Sequence, residues 1–512
     1  MHGAAHFATT LCRGQLALES PLVHVEANLG SGLPTFIIVG LPEAAVRESK
    51  ERVRAAIENC GFEFPPGRIT VNLAPADLPK EGGRFDLAIA LGILLASGQV
   101  VSRSDPGSTT PRELYGELGL AGELKPVRGL LPAAAHAARA GHQILVPAAN
   151  LGDVLVVAER GTVSGAEHLL QACACLRGER GHPGQPRGAL PHSLPALPTS
   201  FLDLRDVRGQ HHAKRALVIA AAGAHSLLMH GPPGSGKSML AQRLPALLPP
   251  LTRSEALEVA MIASLATAGF DPRAYGRRPF RAPHHTASAP AIVGGGARGL
   301  PGEASLAHHG ILFLDELPEF DRCALEALRE PLETGVISIA RARLRAQYPA
   351  AFQLVAAMNP CPCGYLGDLA TGCRCTPRQI AGYRGRVSGP LLDRIDLHVQ
   401  VARVPASELS REHDAVDDYC AEAQSQVARA RSRQLSRAGK LNRDLTPSEL
   451  RRRAALGRAA SRLVEQAFER LKLTARSYER VLRVARTIAD LEESDAIEPQ
   501  HVAEAVQFRR SA

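Results

Sequence analysis

The sequence predicts an α/β multidomain protein that ends in a helical bundle, and three observations carry that prediction. Two stretches, residues 1–175 and 201–402, alternate strand-like runs with helical ones. Between them, residues 176–200 form a Pro/Gly-rich linker, GERGHPGQPRGALPHSLPALPTS for most of its length, which has no apolar periodicity and cannot build a core. From 403 to 512 nearly every residue is a helix former, with helix-start signals at Thr446-Pro447 and Glu498-Pro499. The length of 512 residues fits this division, because single hydrophobic cores stop growing at about 250 to 300 residues.

In the first stretch the expected strands are Phe36 to Val39, Ile69 to Leu73, Ile144 to Val146 and Val154 to Val157. The expected helices are Ala44 to Asn59, Phe85 to Ala96 and Leu131 to Ala140. With 45% apolar and 22% charged residues the chain should fold rather than stay disordered. Its longest apolar run, Leu87 to Ser97, falls well short of the roughly 20 residues that cross a bilayer, and the start MHGAAHFATT lacks a signal-peptide pattern. The expectation is a cytoplasmic protein with no membrane partner. A net charge of +9 suits a polyanionic partner and suits simple solubility equally well.

The second stretch carries the chemistry. Ser226 to Met229 reads as a short strand, followed by Gly231, Pro232, Pro233, Gly234, Ser235, Gly236, Lys237 and Ser238 and then a helical run. This is a P-loop in its proper strand-to-helix context. Its glycines let backbone N–H groups turn towards phosphate, Lys237 reaches the β/γ-phosphates of ATP, and Ser238 ligates Mg²⁺. Further on, the apolar run Ile311 to Leu314 ends in Asp315 and Glu316. Asp315 is expected to hold the water shell of Mg²⁺, and Glu316 to deprotonate the attacking water. A third strand, Phe352 to Met358, delivers Asn359, whose amide would position that water.

These elements in this order resemble the AAA+ ATPases. The stretches FRAPHHTASAPAIVGGG, PGEASLAHHGILFLDELPEF, LREPLETGVISIARA, AAMNPCPCG and SGPLLDRIDLHV are similar to the magnesium-chelatase-like ATPases of the YifB/ComM type, competence-associated proteins of bacteria. The resemblance implies a homo-hexameric ring that drives DNA translocation in recombination during natural transformation. It implies an arginine finger at Arg394 in LLDRID and a sensor arginine at Arg476 in the helical lid, with Arg480 as the alternative. Asp206-Val207-Arg208-Gly209-Gln210 resembles the segment that lines the adenine pocket. A protein-remodelling or metal-insertion ATPase of the chelatase kind is the rival reading. The first domain looks like the Lon-protease fold, yet Lys80 to Asp86 has no Ser and Val127 to Ala133 has no Lys, so the Ser–Lys dyad of a protease is missing and a silent domain is expected.

Three further patterns stand out. Arg341, Arg343 and Arg345 follow the strand-like Val336 to Ala340 at alternate positions, which on an extended segment would set all three on one face, towards single-stranded or branched DNA in a central channel. A second strand is expected near Ala351, and the Gly-rich Val293 to Arg298 segment is a second pore candidate. Arg429 to Arg453 is strongly basic, either a nucleic-acid surface or a solvated lid helix. Finally, Cys361, Cys363, Cys373 and Cys375 form two C-x-C pairs that suit a structural Zn²⁺, though the spacing also allows free thiols or a redox role.

Overall fold

The computed structural model describes residues 6–40, 44–78, 80, 82–102, 110–158, 162–179, 203–296, 299–341, 344–368, 371–405, 419–454, 456–471 and 474–509. Nearly all of the expected linker, as well as Arg343 and Arg298, lies outside them. The chain divides into two compact units, one of residues 1–195 with 256–275 and one of residues 196–255 with 276–512.

The first unit is built on a seven-stranded mixed sheet. Its strands are β1 (Phe7–Arg13), β2 (Leu22–Gly30), β3 (Thr35–Val39), β4 (Arg68–Ala74) and β5 (Arg112–Leu114), then, past the small hairpin β6 (Glu117–Leu118) and β7 (Leu124–Lys125), β8 (Gln143–Pro147) and β9 (Val163–Ala166). The spatial order is β3-β4-β2-β1-β5-β8-β9. The helix Asp86–Ala96 is apolar all round and buried along almost its whole length, against β1 and β2. Gly92 faces β2 there, where a Cβ would come into contact with that of Ala27 at 3.4 Å. A buried ion pair ties the sheet together, with Arg13 Nη2 2.8 Å and His142 Nδ1 2.7 Å from the same oxygen of Glu113. Residues 256–275 cluster here, Ala260 and Met261 packing against Leu131 and Ala135.

One expected strand is absent. Leu151–Val154 is helical and Leu155 to Val157 continue in turns, and the strand in this region is β9. A short apolar run has the same pattern whether it fills a buried strand or a buried helical turn, so Val154, fully buried here, could not discriminate between them.

The second unit holds a five-stranded sheet of β10 (Leu227–His230), β11 (Phe280–Arg281), β14 (Ile311–Leu314), β17 (Gln353–Met358) and β18 (Leu397–Gln400), in the order β11-β14-β17-β10-β18. The intervening β12 (Gly294–Gly295) and β13 (Leu300–Pro301) make a two-stranded ribbon, as do β15 (Val336–Arg341) and β16 (Leu344–Pro349). Every pairing in the large sheet is parallel, so all five strands end at one edge. In open α/β sheets that carboxyl edge is where ligands bind. The C-terminal helices Tyr419–Ala438, Ala475–Leu491 and Pro499–Gln507 do not form a core of their own. Their Val427, Ala430, Val481 and Ile488 share one apolar cluster with Ile219, Leu244 and Val355 around the sheet.

Two charge patterns differ from the sequence reading. The chain reverses between Arg341 and Leu344, so the second strand starts at Leu344 and not near Ala351. Ala340 pairs with Arg345 and Arg341 with Leu344. Directly paired residues share a face, so Arg345 takes a position on the face of Ser338 and Ala340, while Arg341 falls on the face of Ile337 and Ile339. Arg341 and Arg345 therefore do not take positions on one extended face, and Arg343 lies outside the described residues. The basic run after Arg429 is largely neutralised within the unit. Arg429 pairs with Glu493 at 2.7 Å, Arg433 with Asp495 at 2.6 Å, Arg437 with Asp490 at 2.6 Å and Lys440 with Glu449 at 2.9 Å. The half-buried Arg431 donates to the Ala221 carbonyl at 2.7 Å.

Candidate active site

Gly231 follows β10 directly, and a Cβ there would lie 2.1 Å from the carbonyl oxygen of Val401, so only glycine lets the loop start so close to the strand beside it. Gly234 and Gly236 have φ of 74° and 92°, the left-handed region that turns the loop, and Gly236 caps the helix Lys237–Leu247. The positive end of that helix faces the loop it follows. Lys237 is only 8% exposed, and its Nζ donates to Gly231 O at 2.7 Å, Pro232 O at 3.0 Å and Asn359 Oδ1 at 3.2 Å. Burial pushes its pKa down, against the pull of Asp315 and Glu316.

Ser238 Oγ donates to Asp315 Oδ2 at 2.6 Å. A hydroxyl and a carboxylate in contact at the start of a P-loop helix are the oxygen donors that Mg²⁺ prefers, and the hydroxyl of Ser235 is buried with no hydrogen-bond partner among the described residues, so the residues present fit a nucleotide with its metal. Asp315 Oδ1 accepts the N–H of Glu316 at 3.0 Å. Glu316 stands at φ 54°, an unusual conformation for a side chain of its kind and one found preferentially at functional sites. Its carboxylate reaches 3.5 Å from His285 Nδ1. Gln210 joins the site from the preceding segment, donating to Ser235 O at 3.3 Å. The structure thus brings Lys237, Ser238, Asp315, Glu316 and Asn359 to the carboxyl edge of one parallel sheet.

The two arginines taken from the resemblance sit elsewhere in the unit, at a shared carboxylate. Arg394 Nη2 lies 2.8 Å and Arg476 Nη2 3.2 Å from the same oxygen of Glu333, and Arg394 also donates to Pro390 O at 2.7 Å. Arg480 pairs with the buried Asp396. Burial alone would raise the Asp396 carboxyl, but Arg480 and His225 beside it hold it well below the usual range. Asp396 in turn accepts from the N–H of Ser226 at 3.0 Å, at the foot of the P-loop strand.

Residues 203–409 match the family described as magnesium chelatase, subunit ChlI, residues 25–150 match subunit ChlI of Mg-chelatase, and residues 418–509 match its C-terminal region. The chain is 47% identical over 501 residues to the YifB protein of Salmonella typhimurium, spanning 97% of this chain and 96% of that one. It is 45% identical over 502 residues to competence protein ComM of Haemophilus influenzae, spanning 98% and 97%. The chain belongs to the YifB/ComM family of magnesium-chelatase-like AAA+ ATPases. A third member, YifB of Escherichia coli, is 46% identical over 499 residues, 97% of this chain and 96% of that one.

Within this YifB/ComM chain the structure adds residues that sequence reasoning missed. Glu333 and His285 lie inside the stretches that carry the family resemblance, but no spacing rule links either to its partner. Asp396 stands two residues after Arg394 and could have been suspected as an acid at the start of an apolar strand. The four cysteines are brought together: Cys361 Sγ lies 3.4 Å from Cys363 Sγ and 3.6 Å from Cys373 Sγ, and all four sulfurs fall within 4.8 Å of one another. Among the described residues, no helix is long and apolar enough to cross a membrane.

Proposed function

We propose that this chain is an ATP-hydrolysing, ring-forming motor that moves on DNA and serves recombination during natural transformation. The observation that carries the ATPase reading is the convergence of Lys237, Ser238, Asp315, Glu316 and Asn359 at one sheet edge. ATP·Mg²⁺ is the substrate. Lys237 and the P-loop N–H groups hold its phosphates, Ser238 and Asp315 hold the Mg²⁺, Glu316 accepts a proton from the attacking water and Asn359 orients that water. Before it can act as a base, Glu316 must give up its contact with His285, whose Nδ1 stands 3.5 Å away.

Arg394 acts as the arginine finger of a neighbouring subunit in a homo-hexamer, exchanging Glu333 for phosphate, and Arg476 serves as the sensor of the lid. Arg480 is committed to Asp396, which favours Arg476 for that role. The DNA reading is supported by the competence name of the Haemophilus relative and by Arg341 and Arg345 near the turn of the β15/β16 hairpin, with Arg343 between them in sequence and outside the described residues. The first unit serves as a catalytically silent Lon-type domain. Lys80 is buried there, its Nζ donating to the Pro75 carbonyl, and Arg84 stands in the helix-start segment where a protease needs its Ser, donating to Arg128 O at 2.8 Å. A cytoplasmic location belongs to the same reading.

The test is ATP turnover with and without single-stranded and branched DNA, followed by a branch-migration assay on a synthetic four-way junction. Stimulation by DNA with ATP-dependent migration is expected. The magnesium-chelatase match favours the second reading, a protein-remodelling or metal-insertion ATPase, which predicts stimulation by a protein or porphyrin substrate and indifference to DNA.

A further inference from the structure

We propose that Cys361, Cys363, Cys373 and Cys375 bind one Zn²⁺ as a tetrathiolate, and that the loop closed by this metal braces the P-loop from outside through the contact of Gly364 with Pro233. All four cysteines are free of disulfides and lie between β17 and the helix Pro377–Arg384. Three sulfur–sulfur separations are 3.4, 3.6 and 3.6 Å. Four thiolates around a tetrahedral Zn²⁺ at ~2.3 Å stand ~3.8 Å apart, so the cluster needs only small shifts to enclose the ion. Each thiol gives up its proton to solvent on binding, and four sulfurs leave no open position, which makes the ion structural.

The surroundings are those of a thiolate site. The N–H of Cys375 points at Cys373 Sγ from 3.4 Å, and the N–H groups of Arg374 and Tyr365 donate to Cys363 Sγ. Donors of this kind orient ligands and stabilise their negative charge. On its far side the loop is fastened by Arg403, which stacks over the Tyr365 ring at 5.4 Å and pairs with Asp368 at 3.4 Å.

The link to the nucleotide site is geometric. Gly364, within the quartet, has φ 84°, and a Cβ on it would lie 2.6 Å from Pro233 Cδ. Loop backbone therefore rests directly on the second proline of the P-loop. Cys361 follows Asn359, the partner of Lys237, by two residues. Of the four cysteines only Cys361 is buried, so the metal would add to the Arg403 contacts a tie that apolar packing of the other three does not supply.

The inference takes its importance from the ATP-site reading, but its test needs no nucleotide. Full-length protein purified without chelator is expected to carry one Zn²⁺ per chain by elemental analysis. After stripping, Co²⁺ should give the intense thiolate charge-transfer and red ligand-field absorption of a tetrahedral tetrathiolate centre. Hydrogen exchange of the amides of Gly231, Gly234, Ser235 and Gly236 should quicken about tenfold on stripping and recover on reloading with Zn²⁺. Gly364→Val should keep the metal and its cobalt spectrum yet show the faster exchange. Because Cys361→Ser with Cys375→Ser could unfold the unit, the stripping and reloading experiment on the native chain is decisive. A stripped protein that takes up Co²⁺ only in a weakly absorbing octahedral form overturns the site. Equal P-loop exchange in the loaded and stripped forms overturns the brace. A zinc-loaded chain that fails to bind ATP would count against the ATPase reading and change neither of these readouts.

Discussion

Lys237 and Glu316 act at different moments of the proposed reaction, and substitutions should separate them. Lys237 would contact phosphate already in the ground state, so Lys237→Ala is expected to lose nucleotide binding, measured with a fluorescent ATP analogue. Glu316 would act on the water, so Glu316→Gln should bind ATP normally and turn it over very slowly. Normal steady-state turnover in both variants would remove the assignment. His398, on β18, offers a stability test. It is buried, and burial first, then the nearby Arg509 and His230, lowers its pKa from 6.5 to about 4. Between these values the unfolded chain binds a proton that the folded chain does not, so stability is full above pH 6.5 and falls as the pH drops towards 4. His398→Leu should remove up to about 3 kcal/mol of that acid dependence, read from urea unfolding at several pH values.

The β15/β16 hairpin makes a claim that depends on register. Arg345 occupies a position on the face of Ser338 and Ala340, and Arg341 the opposite one. Since the two positions fall on opposite faces, only one of Arg345→Ala and Arg341→Ala is expected to weaken single-stranded DNA binding strongly and to flatten its salt dependence by about 0.7 per lost phosphate contact. Basal ATP turnover should survive in both. Unchanged slopes in both variants would mean that the hairpin does not meet the phosphate backbone. The C-terminal helices impose a different constraint. Because their apolar faces complete the core around the parallel sheet, a chain cut before Tyr419 should fail to hold the P-loop strand, and its ATP affinity should fall with its stability.

The assembled ring is where Arg394 must prove its role. It is 7% exposed and bound to Glu333 of its own chain, so a role in trans requires it to change partners on assembly. Arg394→Ala and Glu316→Gln chains, each inactive alone, should recover partial turnover when mixed, since some intact Glu316 sites then face intact Arg394 neighbours. Loss of such a finger costs about 10³ to 10⁵ in turnover, which leaves ample room to see recovery. Mixed rings that stay inactive under conditions of shown subunit exchange would exclude the finger. The first unit should cleave neither casein nor small peptides, with or without ATP, and hydrolysis by a chain ending after residue 179 would reverse the reading of a silent domain.

That the P-loop, Asp315, Glu316 and Asn359 would gather at one sheet edge was legible in the sequence because each follows a local signal: a short apolar strand fixes where its last residue emerges, and parallel strands all emerge at one edge. The helices Ala44–Asn59 and Asp86–Ala96 were legible for the same reason, their periods being written into contiguous residues. What a residue pairs with was not. Arg429, Arg433 and Arg437 read as a surplus of charge until folding brought Glu493, Asp495 and Asp490 to them from more than fifty positions away. The same holds for the hairpin arginines, whose faces depend on where the chain turns, and for Val154, where an apolar run suits strand and helix alike. Sequence determined which chemical groups are present and which stretch presents them. Tertiary structure decided which are free to act, because ion pairing, register and burial depend on neighbours in space.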